Sequence, residues 1–219
     1  MRTVIFDLDG TLADTSGDLI AAANACFHGL GHGDVLDPAK DQATAVRGAM
    51  AMLRLGFQRT GLDVAGLEAQ FPILLQHYSE NIDVFTTLYP GAIAAIEELL
   101  LADYRVGICT NKPEGLAETL MQRLGVRDLF HTLIGADTLP VRKPDPDPFW
   151  AAVERAGGAR EASVLVGDTI TDRNTAKAAG RPCILVTFGP AGHDVVDLAP
   201  EALLHDYRDL GQVVRELIG

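Results

Sequence analysis

The strongest constraint on this chain is a set of short, β-branched apolar runs that each close on a polar or glycine-containing turn. They are Thr3–Phe6, Arg105–Cys109, Thr132–Gly135, Val164–Val166 and Cys183–Val186. Helix-like stretches lie between the later ones, at Ala92–Leu101, Glu114–Leu124, Pro148–Ala156 and Asp172–Ala179, and Arg208–Ile218 reads as a last helix. Strands that alternate with helices are joined by crossovers, which cover both faces of a parallel sheet. The expected fold class is therefore α/β, with a Rossmann-like parallel-sheet core.

One region breaks this rhythm. From about Ala13 to Leu88 no strand run is convincing, while Asp18–Leu30, Ala43–Phe57 and Leu67–Asn81 carry apolar residues at helical spacing. Gly31–Pro38 and Arg59–Gly66 read as the loops between them, and Tyr89-Pro90-Gly91 marks the return to the main domain. The expected organisation is a core domain of residues 1–13 and 89–219 with an α-helical cap domain, 14–88, inserted after the first strand. An insert at that point lies above the carboxyl ends of the strands, where open α/β sheets bind ligands.

Four polar clusters follow strand runs and so emerge at one edge of a parallel sheet. They are Asp7-Leu8-Asp9-Gly10-Thr11-Leu12, Thr110-Asn111-Lys112, the loop Lys143-Pro144, and Gly167-Asp168-Thr169-Ile170-Thr171-Asp172. Asp7 and Asp9 stand two residues apart at a strand end, where Gly10 permits a sharp exit. Two such carboxylates repel unless a cation joins them. Magnesium takes hard oxygen ligands and binds one or two carboxylates beside a phosphate, and Asp168 brings a carboxylate from another strand end. Alone, the Asp-x-Asp pair reads equally well as a turn or a helix cap; with Asp168 and Asp172 downstream it reads as a metal site.

The other clusters suit a phosphate. Lys143 stands among stiffening prolines, Lys143-Pro144-Asp145-Pro146-Asp147-Pro148. An ammonium there would offset both the carboxylates and a transferring phosphoryl group. Thr110 and Asn111 offer a hydroxyl and backbone amides at a strand-to-helix turn; Lys112 reads either as part of this turn or as a lysine that only faces solvent. Thr171 is the expected N-cap of a helix starting near Thr171 or Asp172.

These segments, together with Val4-Ile5-Phe6 ahead of the first and Val166 ahead of the last, resemble the signatures of the haloacid dehalogenase-like (HAD) hydrolase superfamily. All four are present in order, and the likeness runs through essentially the whole chain. The insert resembles the helical cap of the branch that includes phosphoglycolate phosphatase and β-phosphoglucomutase. The resemblance implies a magnesium-dependent phosphatase. In it Asp7 would be the nucleophile, Asp9 the general acid/base, Thr110 and Lys143 the phosphate-orienting pair, and Asp168, supported by Asp172, a metal ligand. Asp7 and the backbone carbonyl of Asp9 would complete the protein's share of the metal shell. Asp9 argues against a dehalogenase, since that branch lacks a carboxylate there. Arg47-Gly48-Ala49 resembles a stretch of phosphoglycolate phosphatase-like caps, and a guanidinium can grip a substrate carboxylate; a surface arginine on a helix end reads slightly better.

Composition bounds the partners. The net charge is −12 over 219 residues, which disfavours nucleic acid and anionic membranes. The resemblance implies a small phosphorylated metabolite instead, with 2-phosphoglycolate first. Pyrophosphate, a sugar phosphate or a phosphoglucomutase-type reaction are the alternatives within the family. A phosphorylation-driven receiver also clusters acids with a lysine on a parallel sheet, but its aspartate lies in mid-chain and no helical insert follows the first strand. A dead binding protein on this fold would have lost Asp7, Asp9 or Lys143. Cys26, Cys109 and Cys183 fit no zinc spacing and read as reduced core thiols. With no h-region ahead of Asp7 and no membrane-spanning apolar stretch, a cytoplasmic monomer or homodimer is expected.

Overall fold

A computed structural model describes all residues, Met1–Gly219. The first strand β1 (Thr3–Phe6) leads to the two-residue strand β2 (Ala13–Asp14) and four helices: α1 (Ser16–Gly29), α2 (Gln42–Ala45), α3 (Ala49–Thr60) and α4 (Leu67–Glu80). After the two-residue β3 (Thr87–Leu88) come α5 (Ala92–Leu101), β4 (Arg105–Cys109), α6 (Glu114–Arg123), β5 (Thr132–Ile134) and α7 (Asp147–Arg155). The chain ends with β6 (Ser163–Gly167), α8 (Ile170–Ala178), β7 (Cys183–Val186), β8 (Ala202–Leu204) and α9 (Leu210–Ile218). It divides into two compact units, Met1–Ala13 with Leu88–Gly219, and Asp14–Thr87. No helix is long and apolar enough to cross a membrane.

The first unit is built on a parallel sheet of order β5-β4-β1-β6-β7-β8. β1 lies inside it because Val4, Ile5 and Phe6 are apolar on both faces and wholly buried. It pairs with β4 (Ile5 opposite Gly107) and with β6 (Ile5 opposite Leu165). Gly107 is required at that register, since a Cβ there would run into Thr132 and Ile5. Alternation along the strands sends Ile5, Cys109, Ile134, Leu165 and Leu185 into one cluster with Phe149 and Val153 of α7. Burial of such side chains contributes about 2 kcal/mol each, which fixes the sheet and therefore the strand ends.

Three local features depart from the sequence expectation. β8 was not legible, because Ala-Leu-Leu has helix-forming character and becomes a strand only by pairing with β7 (Leu185 opposite Leu203). The stretch Ala43–Phe57 is not one helix. Gly48, with φ +94°, breaks it into α2 and α3, and apolar spacing carries no record of a backbone turn that only glycine adopts easily. Finally, α8 starts at Ile170 with Thr169, not Thr171, as its N-cap.

The second unit is helical. α1, α3 and α4 pack on one another around Phe27 and Phe57, whose rings meet edge to face at 5.9 Å. Gly56 makes room for the Phe27 ring, where any Cβ would collide with it. Asp41, nearly buried, receives both Arg59 guanidinium nitrogens at 2.6 and 2.7 Å, a fork-to-fork pair of the strong kind. Buried Asp18 accepts from the Phe85 and Thr86 N–H groups and the Thr86 hydroxyl (2.7–2.9 Å), tying the start of α1 to the segment that leaves the unit.

Candidate active site

Every residue of the site grows from a strand end of the first unit. Asp7 continues the β1 ladder by one residue, its N–H donating to the Val166 carbonyl at 2.8 Å. The chain then turns back tightly. Leu12 and Ala13 N–H groups donate to the Leu8 carbonyl, and Gly10, at φ +80°, donates to the Ala13 carbonyl. Glycine is needed there for a second reason, because a Cβ would enter the Asp168 carboxylate. Gly189, after β7, likewise lets that segment lie against the Gly10 carbonyl. Tyr207 pins the turn from below, its hydroxyl donating to the Thr11 carbonyl at 2.7 Å.

The carboxylates converge. One oxygen each from Asp7, Asp168 and Asp172 lies within 4.8 Å of the others. Lys143 Nζ sits 2.6 Å from Asp172 Oδ1 and 3.1 Å from Asp7 Oδ1. Asp168 Oδ1 accepts from the Thr11 hydroxyl at 2.9 Å; its Oδ2 is buried with no hydrogen-bond partner. An orphaned buried carboxylate oxygen is rare in a folded protein and marks a place where a cation could be held. Asp172 also caps α8, accepting from the Thr169 N–H at 3.1 Å and hydroxyl at 2.7 Å, so the residue that holds Lys143 also starts a helix.

Asp9 points elsewhere. Its Oδ1 receives Lys112 Nζ at 2.6 Å, and its carboxylate is outside the three-acid cluster. Lys112 is buried, which sets aside the solvent-facing one of its two sequence readings. The signal was present in its position two residues beyond a strand end, but a lysine there reads as surface unless its partner, a hundred residues away, is known. Thr110 continues β4, with its N–H on the Ile134 carbonyl and its hydroxyl accepting from the Lys112 N–H at 3.2 Å. Asn111 donates to the Lys143 carbonyl at 3.0 Å, so its amide ties the lysine loop in place. Arg47 lies in the other unit, exposed, between α2 and α3.

Electrostatics follow from this packing. Burial pushes the Asp7 carboxyl up to about 6; Lys143 opposes that, while Asp172 and Asp9 reinforce it. Burial also raises Asp168 well above the usual range, aided by Asp172 and Asp7. For Lys143 burial works against the charge, but Asp172 and Asp7 outweigh it and hold the ammonium above its ordinary value. Four carboxylates face two ammonium groups here. The carboxylates outnumber the ammonium groups, an excess of negative charge that suits a cation.

Comparison with known proteins gives concordant results. A family model described as haloacid dehalogenase-like hydrolase matches residues 4–186. Phosphoglycolate phosphatase of Rhodospirillum rubrum is 36% identical over 218 residues, covering 96% of this chain and 89% of that protein. The enzyme of the same name from Mesorhizobium japonicum is 36% identical over 208 residues, covering 93% and 90%. In fold, the chain is similar to the crystal structure of a protein described as a predicted phosphoglycolate phosphatase from Haemophilus somnus, with a TM-score of 0.86, 23% identity and 97% of each chain covered.

Proposed function

The chain belongs to the haloacid dehalogenase-like hydrolase family, and from that premise we propose that it is a magnesium-dependent phosphatase that cleaves 2-phosphoglycolate through a phosphorylated Asp7. The observation that carries this reading is the buried cluster of Asp7, Asp168 and Asp172 around Lys143, with Asp168 Oδ2 unpartnered. The donor set fits magnesium: hard oxygens only, from two strand ends. Asp7, Asp168 and the Asp9 carbonyl would hold the ion, with Asp172 in support. When bound, it would supply the positive charge that keeps these carboxylates ionised together and screens the phosphoryl oxygens.

The protein's own groups do the rest. The Leu8 N–H and Lys143 both contact Asp7 Oδ1, at 2.7 and 3.1 Å, which leaves Oδ2 to attack phosphorus. In the first transfer the Asp7 Oδ2–phosphorus bond forms and the ester bond breaks, while Asp9 gives its proton to the departing oxygen. In the second, Asp9 takes a proton from a water that attacks phosphorus, and Asp7 is released as a carboxylate. The Lys143 ammonium and the Thr110 hydroxyl orient the phosphoryl oxygens; Asn111 steadies the loop that presents Lys143. Arg47 is the proposed carboxylate-recognising residue of the helical unit, and three buried free thiols fit a reducing, cytoplasmic setting.

Phosphate release from 2-phosphoglycolate tests this directly. Turnover should require magnesium and stop on chelation, and Asp7→Asn should abolish it while the circular dichroism spectrum is unchanged. Asp7→Asn retaining more than about one part in a hundred of the activity removes Asp7 from the nucleophile role.

A further inference from the structure

Away from the acid cluster, a cavity of about 370 Å³ opens between Arg173, Lys177, Gly180, Arg181, Pro182 and Glu201. Pro182 and Glu201 stand immediately before β7 and β8, so the cavity lies at the amino ends of the strands. Asp7, Thr110 and Asp168 follow carboxyl ends. The cavity carries three cations against one acid, in a chain whose net charge is −12.

The acid is already taken. Glu201 receives both terminal nitrogens of Arg173 at 3.1 Å and the Cys183 N–H at 2.8 Å, while Arg173 Nε donates to the Leu198 carbonyl at 3.3 Å. The other two cations are open. Arg181 Nε donates to the Ser163 carbonyl at 3.0 Å, which fixes the guanidinium. Its two terminal nitrogens bond nothing, and the Lys177 ammonium has no partner. Cations at a helix end ordinarily answer its exposed carbonyls. Here Gly180, at φ +63°, closes α8 instead, with its N–H on the Lys177 carbonyl and the Arg181 N–H on the Ala176 carbonyl. The Arg181 side chain is turned away from the helix, towards β6.

We propose that this cavity binds a small organic phosphate, apart from the catalytic centre and independently of the phosphatase reading. The surplus positive charge selects an anion, and no large apolar side chain lines the cavity to hold anything else. Geometry favours phosphate over carboxylate. A phosphate has three oxygens that point apart, so two meet the planar guanidinium fork and the third meets the ammonium. The volume is at the small end of the range for small-molecule sites, about 300–1,000 Å³, and leaves room beside the phosphate for a short organic body.

Amide and arginine Nε chemical shifts of the ¹⁵N-labelled full chain should be followed as glycerol 3-phosphate, inorganic phosphate or acetate is added. Chelator is present, magnesium is absent and ionic strength is held constant. Glycerol 3-phosphate should shift Lys177–Cys183 and the Arg181 Nε saturably, with a Kd of about 1 mM or below. It should bind at least about threefold tighter than inorganic phosphate. Lys177→Met should weaken it about threefold or more and Arg181→Met at least about tenfold. Should Arg181→Met fail to fold, the exposed Lys177 decides alone. Shifts that are unchanged in Lys177→Met and confined to residues after the carboxyl strand ends place the phosphate in the catalytic centre; they overturn this site and leave the phosphatase reading standing. No shift at about 50 mM, or equal binding of inorganic phosphate or acetate, means an adventitious ion only and overturns the proposal.

Discussion

Asp168→Asn should make the metal-free protein more stable while destroying its response to magnesium. Asp168 is wholly buried, and its ligand oxygen lies within 4.8 Å of those of Asp7 and Asp172. At that distance two unit charges repel by about 3.5 kcal/mol in an effective dielectric of about 20. Asp168 meets two such neighbours, and the nearby Lys143 offsets roughly one, so removing its charge should gain about 3 kcal/mol at pH 7.5. Asparagine keeps an acceptor for the Thr11 hydroxyl and places a donor among carboxylates. For a chain of this size the gain corresponds to a Tm rise of about 6–12 °C.

The sign can be checked against pH. The folded-state pKa of Asp168 is raised above the ordinary 3.8, so the native state binds the proton more tightly than the unfolded one. The aspartate's contribution is fully present below 3.8 and is lost as pH rises through the folded-state value. The advantage of the permanently neutral asparagine should therefore vanish near pH 4 and grow towards neutrality. Thermal unfolding of both proteins from pH 4 to 8, with and without magnesium, reads all of this. A lower Tm for Asp168→Asn across that range, or a magnesium-induced shift equal to that of the wild type, would refute the reasoning.

Two further outcomes follow from the same packing. Lys143→Met leaves Asp7 and Asp172 without their shared ammonium (3.1 and 2.6 Å). It should cost about 3 kcal/mol in urea unfolding at pH 7.5, shrinking towards pH 4 as carboxylates take up protons, and should lower kcat by about a hundredfold or more. In the helical unit, Gly56→Val should destabilise by about 2 kcal/mol because a side chain there enters the Phe27 ring; the loss should appear in urea unfolding and be insensitive to magnesium.

Several elements could be read without coordinates because their information is local. Apolar runs that are buried on both faces, such as Val4–Phe6, admit little besides an interior parallel strand. The alternation of such runs with helix-like stretches yields the α/β class, and the position of Asp7 after β1 places it at a strand end. Helix limits were legible where apolar spacing follows a clear turn, as at Ala92–Leu101 after Tyr89-Pro90-Gly91. They were not legible where a single glycine dihedral decides, as at Gly48, or where strand pairing overrides propensity, as in β8.

The site divides the same way. Sequence order brings Asp7, Thr110, Lys143 and Asp168 to one sheet edge, since each follows a strand. It cannot say which charge meets which. Lys112 and Asp9 are 103 positions apart, and Lys143 and Asp172 are 29 apart; such pairings depend on the distance between strands and the rotamers that packing permits. Nor does it show that Asp172 caps α8 while holding Lys143, or that Gly10 and Gly189 leave the space into which Asp168 fits. Which residues stand at the edge is thus set by local pattern. Which of them are paired, buried or left with an unmatched oxygen is set by tertiary packing, because desolvation and Coulomb energy depend on separation in space and not along the chain.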